Sequence, residues 1–219
     1  MKTKDLLIIS LLLAAVMVGF AFATEARLPA GAQLPVHWNA AGEADRYAPA
    51  LRALLLPPVI LVALSGLFSL IPKLEPLQDK LAGSAPVLRI SWIGMMVIMA
   101  IVAGVIGLPA WGITPPVNAI MLGVGLLLVM IGNALPKSRP GFFVGIRTPW
   151  TITDTDNWIA THRLGGKLML LAGAAIVITS LFPVSPQTTG IVVLASVLVA
   201  AVIPIIYSWW FWRQKKDAA

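Results

Sequence analysis

Six long apolar runs constrain the fold of this sequence more than any other feature. The runs cover Leu6 to Ala23, Leu51 to Ile71, Ile90 to Leu108, Pro116 to Leu135, Leu164 to Phe182 and Gly190 to Trp212. About 20 consecutive apolar residues are enough for a helix to cross the hydrocarbon core of a bilayer. The runs are continuously apolar rather than alternating, which favours helices over the strands of a membrane barrel. We therefore predict an all-α polytopic membrane helix bundle with six transmembrane helices.

The basic residues indicate how such a bundle is oriented. If the N-terminus is cytoplasmic, 13 of the 16 Lys and Arg residues fall in cytoplasmic segments, and only Arg27, Arg46 and Arg52 lie outside. Basic residues concentrate in the cytoplasmic loops of membrane proteins, so we predict that both termini are cytoplasmic. The net charge of +7 suits anionic membrane lipids as partners and gives no reason to expect direct binding of nucleic acid.

The first apolar run has two interpretations. Lys2 and Lys4, the run itself and the small residues around Ala23 resemble a secretory signal peptide. The run is 18 residues long, however, whereas the apolar part of a signal peptide usually has about 7 to 15 residues. We expect a retained first span; cleavage would leave five spans and the same orientation after it.

The first polar segment reads LPVHWNAAGEADRYAPA, from Leu34 to Ala50, and is predicted to lie outside. It crowds hydrogen-bonding side chains around a glycine that permits a turn, and Trp38 and Tyr47 are amphipathic rings suited to the membrane interface. We expect a folded external loop held by its own hydrogen bonds. Its candidate ligand-binding residues are His37, Trp38, Asn39, Gly42, Glu43, Asp45 and Arg46.

The second polar segment runs from Pro136 to Arg163 and is predicted to be cytoplasmic. Thr153 followed by Asp156 has the spacing of a capping box, and Asp154 also favours a helix N-terminus. A helix beginning there places Asp154, Trp158 and His162 on one face. We predict turns followed by a short interfacial helix. The candidates for contact with lipid or a partner are Asn133, Lys137, Arg147, Thr148, Trp150, Asp154, Trp158, His162 and Arg163.

The sequence gives little support for a metal site or for an enzyme. His37 and His162 are the only histidines, and the topology places them on opposite membrane faces, so they cannot share a metal. Gly166 and Lys167 resemble the Gly-Lys pair of a phosphate loop. The motif is incomplete, because Leu168 stands where a Ser or Thr would bind magnesium. We predict no metal, no cofactor and no enzymatic activity. An interfacial enzyme would require Arg147, Asp154, Asp156 and His162 to converge in one pocket.

Both polar segments resemble sequences of a known family. The external LPVHWNAAGEADRYA resembles the Pro-x-His-(Trp/Phe)-Asn-x-x-Gly-x-x-Asp signature of the uncharacterised domain that precedes the SdpI domain in SdpI-type membrane proteins. The internal GNALPKSRPGFFVGIRTPWTITDTDNWIATHRLGGKL, from Gly132 to Leu168, resembles the signature of the SdpI domain itself. Gly141 departs from the pattern, since an asparagine is expected there.

The resemblance implies a bacterial plasma (inner) membrane protein of toxin-immunity type. The founding member protects its cell from a secreted membrane-active killing peptide and holds a soluble autorepressor at the membrane. The motif positions carried over to the external segment are His37, Trp38, Asn39, Gly42 and Asp45. Those carried over to the internal segment are Asn133, Pro136, Lys137, Gly145, Arg147, Thr148, Pro149, Trp150, Trp158, Thr161, His162, Arg163 and Gly165.

These observations predict an immunity or receptor protein whose external loop meets a toxin peptide and whose internal loop docks a partner. The chain is expected to divide into an N-terminal two-helix unit at 1–71 with its external loop at 24–50, a third helix with its connections at 72–115, and an SdpI-like domain at 116–219. The alternative is a transporter or efflux component for a small amphipathic substrate, built from inverted halves. No charged residue lies in the middle of a span, which disfavours ion-coupled transport.

Overall fold

The computed structural model describes residues 2–39 and 43–217, so Gly42 of the predicted external motif lies outside the described residues. Seven α-helices and one pair of strands follow one another along the described chain. The bounds are α1 Thr3–Glu25, β1 Gln33–Trp38, β2 Ala44–Pro49, α2 Ala50–Leu74, α3 Gln78–Gly107, α4 Asn118–Ala134, α5 Pro149–Thr153, α6 Thr155–Leu181 and α7 Pro186–Asp217.

Six of these helices, all except α5, are long and apolar enough to cross a membrane, which confirms the predicted all-α polytopic bundle. Two of them extend well beyond the apolar runs. Helix α3 begins at Gln78 rather than Ile90, and α6 begins at Thr155 rather than Leu164. The predicted short interfacial helix is therefore wrong as a separate element, because its residues form the first turns of α6.

The external loop is a β-hairpin, which the sequence analysis did not predict. β1 pairs antiparallel with β2, and register irregularities occur around His37. Leu34, Val36 and Trp38 alternate along β1 and pack on the cluster formed by the ends of α1, α2 and α3. The hairpin forms because this apolar face is buried against the helices while its polar residues remain on the other side.

The helices pack as two groups joined through α3 and α4. Helices α1, α2 and α3 contact one another, and α6 lies between α4 and α7. The contact of α4 with α6 depends on glycines: a Cβ atom on Gly166 would lie 2.7 Å from the carbonyl oxygen of Gly132, and one on Gly132 would lie 2.7 Å from that of Gly166. Only glycine allows the two backbones to approach this closely.

A small polar network lies within the first group of helices. The Trp92 Nε1–H group is shared between Ser10 Oγ at 2.9 Å and Ser65 Oγ at 3.1 Å, and all three side chains are fully buried. Ser10 Oγ in turn donates to the carbonyl oxygen of Leu6 at 2.8 Å. This network fixes α1 against α2 and α3, so α1 is an integral part of the packed bundle.

The bundle has two polar ends with different charge. One end, here called the hairpin end, carries β1, β2 and the turn from α3 to α4. The other, the basic end, carries the start of α1, the turn between α2 and α3, the segment 138–154 and the end of α7. His37 lies at the hairpin end and His162 near the basic end, consistent with their predicted separation.

Candidate functional site

A histidine and a carboxylate form an exposed pair on the hairpin. His37 Nδ1 lies 2.5 Å from Asp45 Oδ1, and the two side chains are 51% and 39% exposed. The hydrogen bond with His37 holds the pKa of Asp45 below its usual value. Next to this pair, the Asn39 amide oxygen accepts the backbone N–H of Glu43 at 3.1 Å. The hairpin is thus closed by its own polar side chains, as predicted for the external loop.

Aromatic and basic side chains extend this surface at the hairpin end. Tyr47 and Arg46 are exposed, whereas Trp38 is half-buried against the helices. Arg27 lies over the ring of Trp111 at 4.0 Å from its centroid, and Trp111 Nε1–H donates to Thr24 Oγ1 at 3.0 Å. The hairpin end therefore presents polar, basic and aromatic side chains, with Arg46 and Tyr47 on the hairpin and Arg27 and Trp111 beside it.

At the basic end, the segment 138–154 is held by a residue that the sequence analysis missed. Glu75 lies in the turn between α2 and α3 and is only 4% exposed. Its carboxylate accepts the backbone N–H groups of Phe142 at 3.0 Å and Phe143 at 3.2 Å, and also that of Leu77 at 3.2 Å. A carboxylate is suited to this position because it offers only acceptors to several converging donors.

A second anchor links the same two segments. Ser84 Oγ donates to the carbonyl oxygen of Arg139 at 3.0 Å and accepts the backbone N–H of Arg139 at 3.2 Å. Helix α3 and the turn before it thus bind the segment 138–154 at two points. This explains why α3 begins so early, since its first turns pack against this segment rather than against lipid.

His162 is fully buried and organises the middle of the segment. Its Nε2 atom accepts the backbone N–H of Ile146 at 2.9 Å, and its Nδ1 atom lies 2.8 Å from the carbonyl oxygen of Trp158. Because an N–H group can only donate and a carbonyl can only accept, the proton sits on Nδ1 and the ring is neutral. The ring stacks on Trp158 at 3.9 Å, as expected for two residues on one helix face.

Gly145 is required beside this ring. Its φ is +121°, and a Cβ atom there would lie 2.5 Å from His162 Nε2. Any other residue would strain the backbone and displace the histidine.

The threonines of the segment connect it to α7. Thr148 caps α5 with reciprocal hydrogen bonds to Thr151, and its Oγ1 atom lies 3.1 Å from Ser208 Oγ. Asn157 Nδ2 donates to the carbonyl oxygen of Ser208 at 2.8 Å. The capping box predicted at Thr153 is wrong: Thr148 forms the box one helix earlier, and Asp154 alone caps α6.

Asp154 and Asp156 bind the end of α7. Lys215 Nζ lies 3.0 Å from Asp154 Oδ2 and 2.8 Å from Asp156 Oδ2. Burial by itself would raise the pKa of Asp154. The hydrogen bonds from Lys215 and from the backbone N–H groups of Asn157 and Asp156 outweigh burial and lower this pKa below its usual value.

The predicted internal candidates divide into three classes. Thr148, Trp158 and His162 are buried within the chain's own packing and have no surface to offer a lipid or a partner. Trp150 and Asp154 are partly buried, with Trp150 against Trp212 at 5.9 Å between ring centroids. The exposed class consists of Asn133, Lys137, Arg147 and Arg163.

The arrangement offers little for catalysis. Of the four residues considered for an interfacial enzyme, His162 is engaged with backbone groups, Asp154 and Asp156 bind Lys215, and Arg147 Nη1 donates to the carbonyl oxygen of Phe142 at 2.8 Å. All four side chains are therefore engaged in contacts within the chain. Within residues 2–39 and 43–217, no three metal-binding side chains come together.

Comparison with known proteins matches both polar regions. Residues 137–208 match the SdpI/YfhL protein family, and residues 9–62 match a domain of unknown function, DUF1648. The chain is 29% identical over 93 residues to the immunity protein SdpI of Bacillus subtilis (strain 168), a match that covers 42% of this chain and 44% of that relative. The chain thus aligns with less than half the length of this relative. No solved structure matches.

Proposed function

Because the chain belongs to the SdpI-type family, a family of multi-pass bacterial membrane proteins, we propose that it is an immunity protein that protects its cell from a secreted membrane-active peptide. The hairpin end meets the peptide outside the cell, and the basic end faces the cytoplasm. The proposal rests on the similarity to the immunity protein of Bacillus subtilis together with the folded, polar hairpin that this chain presents.

The exposed pair of His37 and Asp45 is the observation that favours the hairpin as the binding surface. The two side chains bond to each other and both remain at least 39% exposed, so a ligand can reach them from solution. Arg46 and Tyr47 beside it add a cation and an exposed ring, which are residue types that often carry binding energy. An amphipathic peptide arriving at the membrane surface would meet this face first.

Signalling to a soluble autorepressor is the second part of the proposal. Lys137, Arg147 and Arg163 are exposed on the basic end and are candidates to contact such a partner. Helix α2 begins directly after β2 and ends at the turn that contains Glu75. A displacement of the hairpin therefore has a direct route along one helix to the segment 138–154.

The transporter alternative receives less support from the packing. A transport path needs a polar cavity at mid-membrane. The buried polar side chains there, Ser10, Ser65 and Trp92, bond to one another instead. Such packing at mid-membrane favours a receptor over a transporter.

Survival of a sensitive bacterium that lacks its own immunity protein tests the proposal. Cells expressing the full chain, His37→Ala or Asp45→Ala are exposed to a panel of membrane-active killing peptides, with membrane levels of each variant measured in parallel. We expect selective protection by the full chain and its loss in both variants. Glu25→Gln, an exposed carboxylate at the same end outside the hairpin, is the matched control and keeps protection.

Two results would count against this function. Protection by none of the peptides, with the protein present in the membrane, removes the immunity role. Full protection by both hairpin variants keeps immunity but excludes the pair as the contact surface.

A further inference from the structure

An apolar trough runs along the outside of the bundle between α1 and α4, with α3 as its floor. Its volume is about 590 Å³. Ile9 and Leu13 form the wall on α1, and the opposite wall is formed by Ala119 on α4 and Pro115 just before it. Across the described part of the chain, α1 and α4 make no contact with each other. The floor of the trough is therefore open to the bilayer along its length.

The lining of the trough matches hydrocarbon. It consists of aliphatic side chains, one methionine, a proline and a glycine, and contains no charged or hydrogen-bonding side chain. A Cβ atom on Gly104 would have only the Leu108 side chain within 4 Å. Within the described residues, no other helix therefore covers the floor of the trough at this residue. The trough extends from Ile93 on α3 to Leu108, the residue after this helix, about 22 Å at 1.5 Å per residue.

A cation lies at one mouth of this trough. Arg89 precedes Ile93 by four residues and so lies on the same face of α3, one turn nearer the basic end. It is exposed, and no carboxylate of the described residues lies within ion-pair distance of it. Side chains on a helix lean toward its N-terminus, which for α3 is at the basic end. The guanidinium can therefore reach the head-group level while its stem follows the helix.

The neighbouring wall adds to this charge. Lys2 and Lys4 lie at the start of α1, and the carboxylate of Asp5 there accepts the backbone N–H of Lys2 at 2.9 Å. Lys2 precedes Ile9 by seven residues and so adds a second cation on the trough side of this wall, next to Asp5. The mouth is suited to a phosphate, and the trough below it to an acyl chain.

We propose that the half of the trough nearest Arg89 binds an anionic phospholipid, with its phosphate on Arg89 and one acyl chain against α1 and α3. One leaflet of the hydrocarbon core is about 15 Å thick, so a chain hung from this level covers the trough from Ile93 to about Ala100. A zwitterionic lipid has the same chain but less net attraction to the cations. The site is separate from the hairpin and does not depend on the immunity function.

Photocrosslinking of the full chain in vesicles tests the site. The protein is reconstituted in phosphatidylcholine with a small fraction of phosphatidylglycerol that carries a photoreactive group in one acyl chain, and adducts are mapped by mass spectrometry. We expect adducts concentrated on the trough residues of α1 and α3. A probe with a choline head group should label the same residues less.

Charge variants separate specific binding from general contact with lipid. Arg89→Gln should lower trough adducts of the phosphatidylglycerol probe about fivefold, which corresponds to about 1 kcal/mol for one cation near anionic lipid. Arg89→Lys keeps the charge and most of the labelling. Arg163→Gln removes an exposed arginine near the same end, on α6, and should leave trough labelling unchanged.

A larger side chain in the trough tests the binding of the acyl chain independently of Arg89. Ala100 lines the trough, and Ala100→Phe should lower the adducts although Arg89 remains. Adducts spread evenly over all lipid-facing helices, or trough adducts equal in Arg89→Gln and the parent, would overturn the proposal. It would also be overturned if a photoreactive residue at position 100 crosslinked to a second copy of the chain instead of lipid.

Discussion

Glu75 accepts the backbone N–H of Phe142 at 3.0 Å, across 67 positions of sequence. One partner lies between α2 and α3, in the half of the chain that carries the hairpin, and the other lies in the segment that precedes α6. A buried carboxylate thus joins the turn between α2 and α3 to the region that matches the SdpI/YfhL family. Together with the contact of Ser84 with Arg139, this hydrogen bond fixes the segment 138–154 to α3 and the turn before it.

Glu75→Gln should loosen the segment 138–154 while leaving the bundle intact. Glutamine replaces one acceptor oxygen with a donor group that faces the N–H groups of Phe142 and Phe143, and each buried donor left unpaired costs about 1–3 kcal/mol. The chain contains no cysteine, so Val144→Cys is a unique reporter, buried at 7% exposure. We expect faster thiol labelling of this reporter in the Glu75→Gln background. Equal rates in both backgrounds would show that Glu75 does not hold the segment.

Substitution of His162 should destabilise the folded protein because its ring accepts a buried backbone hydrogen bond. His162→Leu keeps much of the volume but leaves the N–H of Ile146 without its acceptor, at a cost of about 1–3 kcal/mol. The thermal unfolding midpoint in detergent should fall. Nitrogen NMR of labelled histidine in the parent should report a proton on Nδ1. A proton on Nε2 would contradict the assignment of the hydrogen bond from Ile146.

The contact of α4 with α6 can be tested with glycines that differ in surroundings. Gly166→Ala forces a methyl group against the Gly132 carbonyl oxygen and should destabilise by about 1–3 kcal/mol, the usual cost of overpacking. Gly66→Ala is the matched control, because nothing lies within 4 Å of its Cβ position in α2. It should raise stability by up to about 1 kcal/mol through helix propensity. The thermal unfolding midpoint should fall in Gly166→Ala and rise in Gly66→Ala. A loss of stability in Gly66→Ala would contradict this account.

The hairpin should weaken in acid through Asp45. Its pKa is lowered in the folded chain, mainly by the hydrogen bond with His37, so the stabilisation is present above the unfolded value and is lost as pH falls through the folded value. Carbon NMR of the Asp45 carboxyl should therefore titrate below the ordinary 3.8 in the parent and move toward 3.8 in His37→Ala. An identical midpoint for Asp45 in parent and variant would show that the pair does not form.

The sequence by itself determined the number and type of the membrane-spanning elements. Hydrocarbon cannot hydrogen-bond to a backbone, so a continuous apolar run of about 20 residues has only the helix available to it. The stacking of Trp158 on His162 was also predictable, because side chains four residues apart share a helix face. The hairpin had a local signal in the alternation of Leu34, Val36 and Trp38, but Pro35 within the run argues against a strand.

Tertiary structure decided which polar residues are anchors and which are surface. Nothing local distinguishes Glu75 from the other carboxylates of the chain, since its role depends on N–H groups that arrive 67 residues later. The same holds for His162, Thr148 and Asn157, whose partners lie on other elements. Periodicity predicts the face of a helix on which a side chain lies, but burial of that face depends on which backbone packs against it, and only the folded chain supplies that neighbour.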